Sequence, residues 1–339
     1  MLQMPRTSAR LLGGAAMLAV AMLLLSKEDQ QPYMRHMRRL YSGEDEQSPK
    51  VKVFYSSGRL GNHMREWASA MAVSLNNKRD ICTSANTELK QYFKGPFPDC
   101  SNNEQTGVVV VQNDVRKLTL ADDDKRDITM KGFSAKCKNF AHIHDEVVEA
   151  YTPLDEHKDA ALKFLEPHRT KVKVGIHVRQ GDKAGKIYSN FLPSMQYFAD
   201  AIAQVRKDLK TEQPGQELAF FIASDSIDWC KEQEEFQAED IHFIESTISG
   251  DSMPTKIFDL TVLMQMDHFI LSEGTFGWWA AWLGAWYRGG TVYHSGRNDP
   301  DNWCDLNTFD GWVSVVGHDP NEYYPGIVKN FPHLVAKSE

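Results

Sequence analysis

Within six residues, His177-Val178-Arg179-Gln180-Gly181-Asp182 offers an imidazole, a guanidinium and a carboxylate at the end of an apolar run. If that run, Val172 to Val178, is a strand, alternation puts His177 and Arg179 on one face. A guanidinium makes a fork of hydrogen bonds that fits phosphate. An imidazole can donate to a nucleobase or a phosphate. The competing role is structural, with an Arg179–Asp182 ion pair tying the loop. A second loop, Ser272-Glu273-Gly274-Thr275-Phe276-Gly277, runs from a strand end into a helix start and brackets Thr275 with glycines. Such a turn presents backbone N–H groups and a hydroxyl to a diphosphate. A third loop, Gly58-Arg59-Leu60-Gly61-Asn62, joins a strand to a helix. Its two glycines allow close backbone approach to a ligand, but a turn needs glycine in any case.

All three loops follow expected strands, and open parallel sheets bind ligands at the carboxyl ends of their strands. In the second half of the chain, strands at Val172–Val178, Leu218–Ala223, Ile241–Ile244, Phe269–Ser272 and Thr291–His294 alternate with helices at 193–210, from 226, 254–266 and 276–287. That alternation predicts a parallel sheet covered on both faces. In the first half, Val51–Tyr55 reads as a strand, and the helix after Asn62 repeats Met64, Trp67, Ala68 and Met71 at helical spacing. Thr106–Val111 reads as a buried strand and 144–168 as helical. Trp278, Trp279, Trp282 and Trp286 recur at helical spacing and are expected in the core. The Asp122–Asp124 run looks like a metal-binding acidic motif, but charge runs ordinarily lie in solvent.

A net charge of −8 argues against a general nucleic-acid binder while leaving room for a basic pocket. Leu11 to Leu25 is uncharged and apolar, preceded by Arg6 and Arg10. As a helix it would span roughly 22 Å, short against a hydrocarbon core of about 27–30 Å. It reads as a signal anchor, with a cleaved signal peptide as the alternative; both send the remainder to a lumen. The expected division is a cytosolic tail (1–10), the anchor (11–25) and a polar stem (26–50). An N-terminal lobe (51–170) and a C-terminal lobe (171–339) follow. Five cysteines allow two disulfides and one free thiol, or one disulfide and three thiols, and contain no CxxC pair. No Asn-x-Ser/Thr sequon occurs.

Together and in this order, the segments GRLGNHMREW (58–67), VGIHVRQGD (174–182), FIASDSIDWC (221–230) and DLTVLMQMDHFILSEGTFGWWAAWL (259–283) resemble the galactoside α-1,2-fucosyltransferases of glycosyltransferase family 11. The resemblance runs from about residue 50 to 300. It implies an α/β, GT-B-like architecture of two Rossmann-like lobes with parallel sheets behind an N-terminal membrane anchor, and a lumenal, type II Golgi location. It implies transfer of L-fucose from GDP-fucose to the 2-hydroxyl of a terminal β-galactoside, with inversion and without a metal. The C-terminal lobe would bind the nucleotide and the N-terminal lobe the acceptor side.

Carried across, Arg179 would hold the β-phosphate and His177 would contact the nucleotide. Ser272, Thr275, Phe276 and Gly277 would line the diphosphate, and Asp225 would meet the guanine or ribose. Arg59, Gly61 and Asn62 would face the cleft. Asp182 and Glu66 are the leading candidates for a general base, with His63 a more distant one. The family usually carries a second arginine where this chain has Gln180. Other readings are a fucosyltransferase of another linkage and a catalytically inactive lumenal protein that binds GDP-sugar or glycan. A dehydrogenase is disfavoured, since no GxGxxG with a following acidic residue is present. Oligomeric state is open.

Overall fold

The computed structural model describes residues 48–330 apart from 56–57, 84–86, 101–105, 112–113, 133–135, 181–190, 246–254, 297–303, 305, 307–308, 318 and 320–321. The apolar run at 11–25 and the stem to 47 lie outside the described residues. Among those described, no helix is long and apolar enough to cross a membrane.

The first lobe is built from Lys50–Phe54 (β1), Leu60–Asn77 (α1), Asp80–Thr83 (β2), Leu89–Tyr92 (α2), Val108–Val110 (β3), Ile128–Lys131 (β4) and His144–Ala150 (α3). Its four strands are all parallel in the order β2-β1-β4-β3. The Val-rich segment at 106–111 is an edge strand, not a buried one: Val109 and Val111 are exposed. The central neighbour of β1 is β4, whose short, mixed sequence gives little strand signal. The helical stretch at 144–168 is interrupted. Pro153 lacks an N–H, and the chain breaks between α3 and Asp155–Leu165 (α4). α4 packs toward the second sheet, with Phe164 against Phe221 and Phe258.

The second lobe contains Val172–Val178 (β5), Met195–Glu212 (α5), Leu218–Ser224 (β6), Ile227–Lys231 (α6), Ile241–Phe243 (β7), Thr255–Leu263 (α7), His268–Ile270 (β8), Thr275–Ala281 (α8), Val292–His294 (β9), Trp312–Ser314 (β10) and Pro325–Asn330 (α9). Six parallel strands run in the order β10-β9-β8-β5-β6-β7. The chain moves outward from β5 to β6 and β7, then returns to the other side of β5 for β8, β9 and β10. This is the doubly wound Rossmann order, and its switch point lies between β5 and β8. The final strand is β10, beyond the one expected at 291–294. A three-residue strand pairing along one edge leaves almost no periodic trace.

The lobes share an aromatic core. Trp278, Trp279 and Trp282 are fully buried, and Phe140 of the first lobe stacks on Trp279 at 5.4 Å. Tyr151 meets the same indole edge-on at 5.2 Å. Each tryptophan withdraws about 150–250 Å² from water, roughly 4–6 kcal/mol at about 25 cal/mol per Å². The indoles therefore join two sheets rather than merely lie beneath one. A disulfide between Cys137 and Cys304 ties the same region, a second joins Cys82 to Cys100, and Cys230 is a buried free thiol.

Candidate active site at the switch point

β5 delivers His177 and Arg179 to the carboxyl edge of the second sheet, and β8 delivers Ser272 beside them. His177 is buried and its Nδ1 lies 3.1 Å from Ser272 Oγ, so a hydrogen bond bridges the switch point. Tyr197 of α5 donates its hydroxyl to the Leu271 carbonyl at 2.6 Å and fixes the strand end that carries Ser272. A Cβ on Gly277 would fall 2.4 Å from His177 Nδ1; only glycine lets the imidazole lie on the first turn of α8. Gly274 caps that helix at φ 102, a left-handed conformation that favours glycine. The first N–H groups of α8 thus point out of the strand edge without helical partners.

Arg179 forms an ion pair with Asp225, the residue after β6. The other Asp225 oxygen accepts the Gln180 N–H at 2.9 Å. The carboxylate therefore holds the arginine loop in place from the neighbouring strand. Side-chain exposure is 15% for Arg179 and 27% for Asp225, enough for the guanidinium to reach a ligand at the rim.

The first lobe closes over this edge at the start of α1. Gly61 has no room for a Cβ, which would meet Thr275 Oγ1 at 2.4 Å. Its carbonyl accepts the Trp279 indole N–H at 2.9 Å. The two helix starts, α1 and α8, abut at this contact, and a cleft of about 890 Å³ opens beside it. Arg59, Gly61, Asn62 and His63 line it from one side; His177, Arg179, Asp225, Thr275 and Phe276 line it from the other. Two arginines, helix N–H groups and a volume on the scale of a nucleotide suit the cleft to an anionic ligand.

The profile of Glycosyl transferase family 11 matches residues 29–305. The chain belongs to glycosyl transferase family 11. Galactoside alpha-(1,2)-fucosyltransferase 2 of Pongo pygmaeus is 26% identical over 258 residues, covering 72% of this chain and 71% of the relative. Galactoside alpha-(1,2)-fucosyltransferase 1 of Homo sapiens is 27% identical over 269 residues, covering 73% and 68%. Among solved structures, fucosyltransferase NodZ from Bradyrhizobium matches with a TM-score of 0.50 at 10% identity, over 70% of this chain and 94% of that one. That likeness is one of fold, the GT-B-like pairing of two parallel-sheet lobes.

In this family 11 chain the structure gathers most of the sequence candidates at one place and separates others. His177, Arg179, Asp225, Thr275, Phe276, Arg59, Gly61 and Asn62 all line the cleft. Ser272 and Gly277 lie behind it as the supports of His177. Asp225 lines the cleft with its carboxylate engaged by Arg179 and Gln180, and so positions the arginine. Glu66 is one turn beyond Asn62 on the same face of α1; it is buried and lies outside the cleft lining. Asp182 and Gly181 lie outside the described residues. The Asp122–Asp124 run is remote from the cleft; Asp122 is exposed and Asp124 pairs with Arg126 at 2.7 Å.

Three ionisable residues of the cleft receive no role from the motifs: Glu88, Lys256 and Asp259. Burial alone pushes the Asp259 carboxyl up to about 7. Lys256, one turn before it on α7, crosses to Glu88 of the first lobe. Burial acts against the Lys256 ammonium, but the Glu88 carboxylate outweighs it and holds it above the ordinary lysine range. Asp259 opens the longest quoted segment, so its i, i+3 spacing from Lys256 was legible as a shared helix face. Glu88 sits at the N-cap of a single-turn helix and carries no sequence signal.

Proposed function

We propose that this chain transfers L-fucose from GDP-fucose to the 2-hydroxyl of a terminal galactose, with inversion and without a metal. The observation that carries the reading is the switch-point arrangement: Arg179 fastened by Asp225, beside the open first turn of α8, facing the Arg59–His63 turn of the first lobe. Membership of family 11 and the names of its curated relatives support the donor and the linkage.

The sugar–phosphate bond breaks with positive charge growing on the anomeric carbon and negative charge on the leaving GDP. A guanidinium and preorganised N–H groups placed against the diphosphate stabilise that charge most effectively, in a site shielded from water. Arg179 and the Thr275–Phe276 turn occupy those positions. His177, fixed by Ser272 and Gly277, adds a donor at the same edge. Asp259, a carboxyl in the cleft wall, suits a nucleobase edge that offers two N–H donors side by side. With the nucleotide bound to the second lobe, the anomeric carbon faces the first lobe. There an acceptor held near Arg59 and Asn62 attacks from the side opposite the phosphate.

On the same reading the catalytic unit belongs in the Golgi lumen, behind a type II anchor at 11–25. The two disulfides favour an oxidising compartment, and the arginine-flanked apolar run supplies a segment to hold the membrane. The test is product analysis. The protein is incubated with GDP-fucose, EDTA and a panel of β-galactosides, and linkage is read by NMR. An α-1,2-fucosylated galactoside is expected. A different linkage, or a requirement for added metal, would replace this reading.

A further inference from the structure

We propose that His63 is the group that takes the proton from the acceptor hydroxyl, with Glu88 as its positioning residue. This rests on the donor-site reading above and adds to it the acid–base half of the reaction. Of the titratable groups in the cleft wall, His177 is committed to Ser272 and Asp225 to Arg179. Asp259 belongs to the nucleotide lobe. His63 stands on the first lobe, in the first turn of α1, one residue from Asn62 and across the cleft from Arg179.

Its surroundings suit the role. His63 Nδ1 is shielded from solvent, makes no hydrogen bond among the described residues, and has Glu88 Oε1 4.0 Å away. The other Glu88 oxygen is held by Lys256 from the second lobe, and Lys256 Nζ rests 5.3 Å from the centre of the Tyr92 ring. Tyr55 lies against the imidazole with ring centres 4.8 Å apart. The ring is therefore flanked by an aromatic neighbour and faces an anchored carboxylate. A proton on Nδ1, toward Glu88, leaves the Nε2 lone pair for the cleft. Glu88, Lys256 and Tyr55 are titratable groups near the ring, with Arg59 one turn before it and Glu66 one turn after it on α1.

In the reaction, the acceptor oxygen forms its bond to the anomeric carbon while the bond from that carbon to the β-phosphate oxygen breaks. The electron pair leaves on GDP. Nε2 receives the hydroxyl proton and returns it to water after GDP departs. The imidazolium formed is drawn toward Glu88, whose charge opposes the one that appears. General-base help of this kind contributes about 10²–10⁴-fold. An imidazole base works only when neutral, so kcat rises with pH as the ring loses its proton.

The experiment uses the full chain with GDP-fucose and a β-galactoside, comparing His63→Ala, His63→Gln and Glu88→Gln with the parent. Expected for both His63 variants is a fall in kcat of about 10²-fold or more. The acid limb of the pH profile should vanish, while GDP affinity by calorimetry stays within about twofold of the parent. Added imidazole should restore part of the rate of His63→Ala. Glu88→Gln should lose less, in kcat and not in acceptor KM, because a neutral neighbour no longer opposes the charge that appears on the ring. Retention of kcat or of the acid limb in His63→Gln would overturn the assignment. So would a loss of rate matched by a loss of GDP affinity and untouched by imidazole, since that is a structural role. A parent that binds no GDP would remove the donor-site reading itself, and this assignment with it.

Discussion

Both lobes are built on parallel sheets, yet they present their chemistry in different ways. In the six-stranded sheet the reactive groups arrive on strand ends. His177 and Arg179 close β5, Asp225 follows β6 and Ser272 follows β8, and hydrogen bonds link one strand end to the next. In the four-stranded sheet the cleft groups come from one helix start and one isolated turn, Arg59 to His63 and Glu88. The second-lobe wall of the cleft, the proposed donor side, is thus fixed by the sheet itself, while the first-lobe wall, the proposed acceptor side, depends on how α1 and α2 are held. Rigid strand ends suit an invariant nucleotide. Helix starts and loops suit an acceptor whose shape differs among enzymes.

The largest contrast should appear in activity. Arg179→Ala removes the phosphate fork and frees Asp225. Transfer should fall about 10²–10³-fold, the range for loss of one preorganised charge-stabilising donor. Arg59→Ala on the first lobe should fall by less and mainly in acceptor KM. Equal losses in steady-state kinetics would erase the distinction between the sides.

The disulfides sharpen the comparison through stability. Cys137–Cys304 spans 167 residues between the lobes, and Cys82–Cys100 spans 18 within one. On loop entropy alone, replacing the longer bridge by serines should cost about 2 kcal/mol more than replacing the shorter. Denaturant midpoints of the two double variants measure this, and a larger loss from the short bridge would contradict it.

The glycines at the contact give the next effect. Gly277→Ala pushes on His177 and Gly61→Ala on Thr275. Each should lower stability by about 1–3 kcal/mol, the usual range for overpacking. Both should also weaken GDP binding, Gly277→Ala through the displaced imidazole and Gly61→Ala through the displaced Thr275–Phe276 turn. Thermal unfolding with and without GDP separates the loss of stability from the loss of binding.

Asp259 supplies the smallest and most pH-specific effect. Its folded value, about 7, lies above the ordinary carboxylate range, so the folded state favours the protonated form. That contribution is complete below about pH 4, is lost as pH rises toward 7, and stays absent above it. Parent and Asp259→Asn should therefore diverge between about pH 4 and 7, the parent losing of order 1 kcal/mol or more relative to the variant. Parallel stability curves would contradict the buried-carboxyl assignment.

Much of the second lobe was legible because its strands are buried on both faces. Val172–Val178 and Leu218–Ser224 are near-continuous apolar runs, and each is followed by a polar cluster at a strand end. The first lobe was less legible for physical reasons. β2 and β4 are four residues long, and β3 is an exposed edge. Asp127 further supports that sheet by accepting from Lys50 N at 2.9 Å and pairing with Lys52, contacts that no local pattern announces. At the site, the arginine loop was readable as chemistry, but its anchor was not. The spacing offers Asp182, which lies outside the described residues, as a local partner; the sheet register supplies Asp225 from 46 positions away, which no spacing reveals. Glu66 reads as an acid near a glycine loop; its helix phase keeps it with Asn62 and His63, and its burial is what no local pattern shows.

The most direct test is calorimetric titration of GDP into the protein and into Arg179→Ala. If the switch-point edge holds the diphosphate, the parent binds GDP and the variant binds it roughly 10–100-fold more weakly, as expected for a lost charge-assisted fork. Equal affinity in the two proteins would show that the nucleotide lies elsewhere and would contradict the donor site described for this fold.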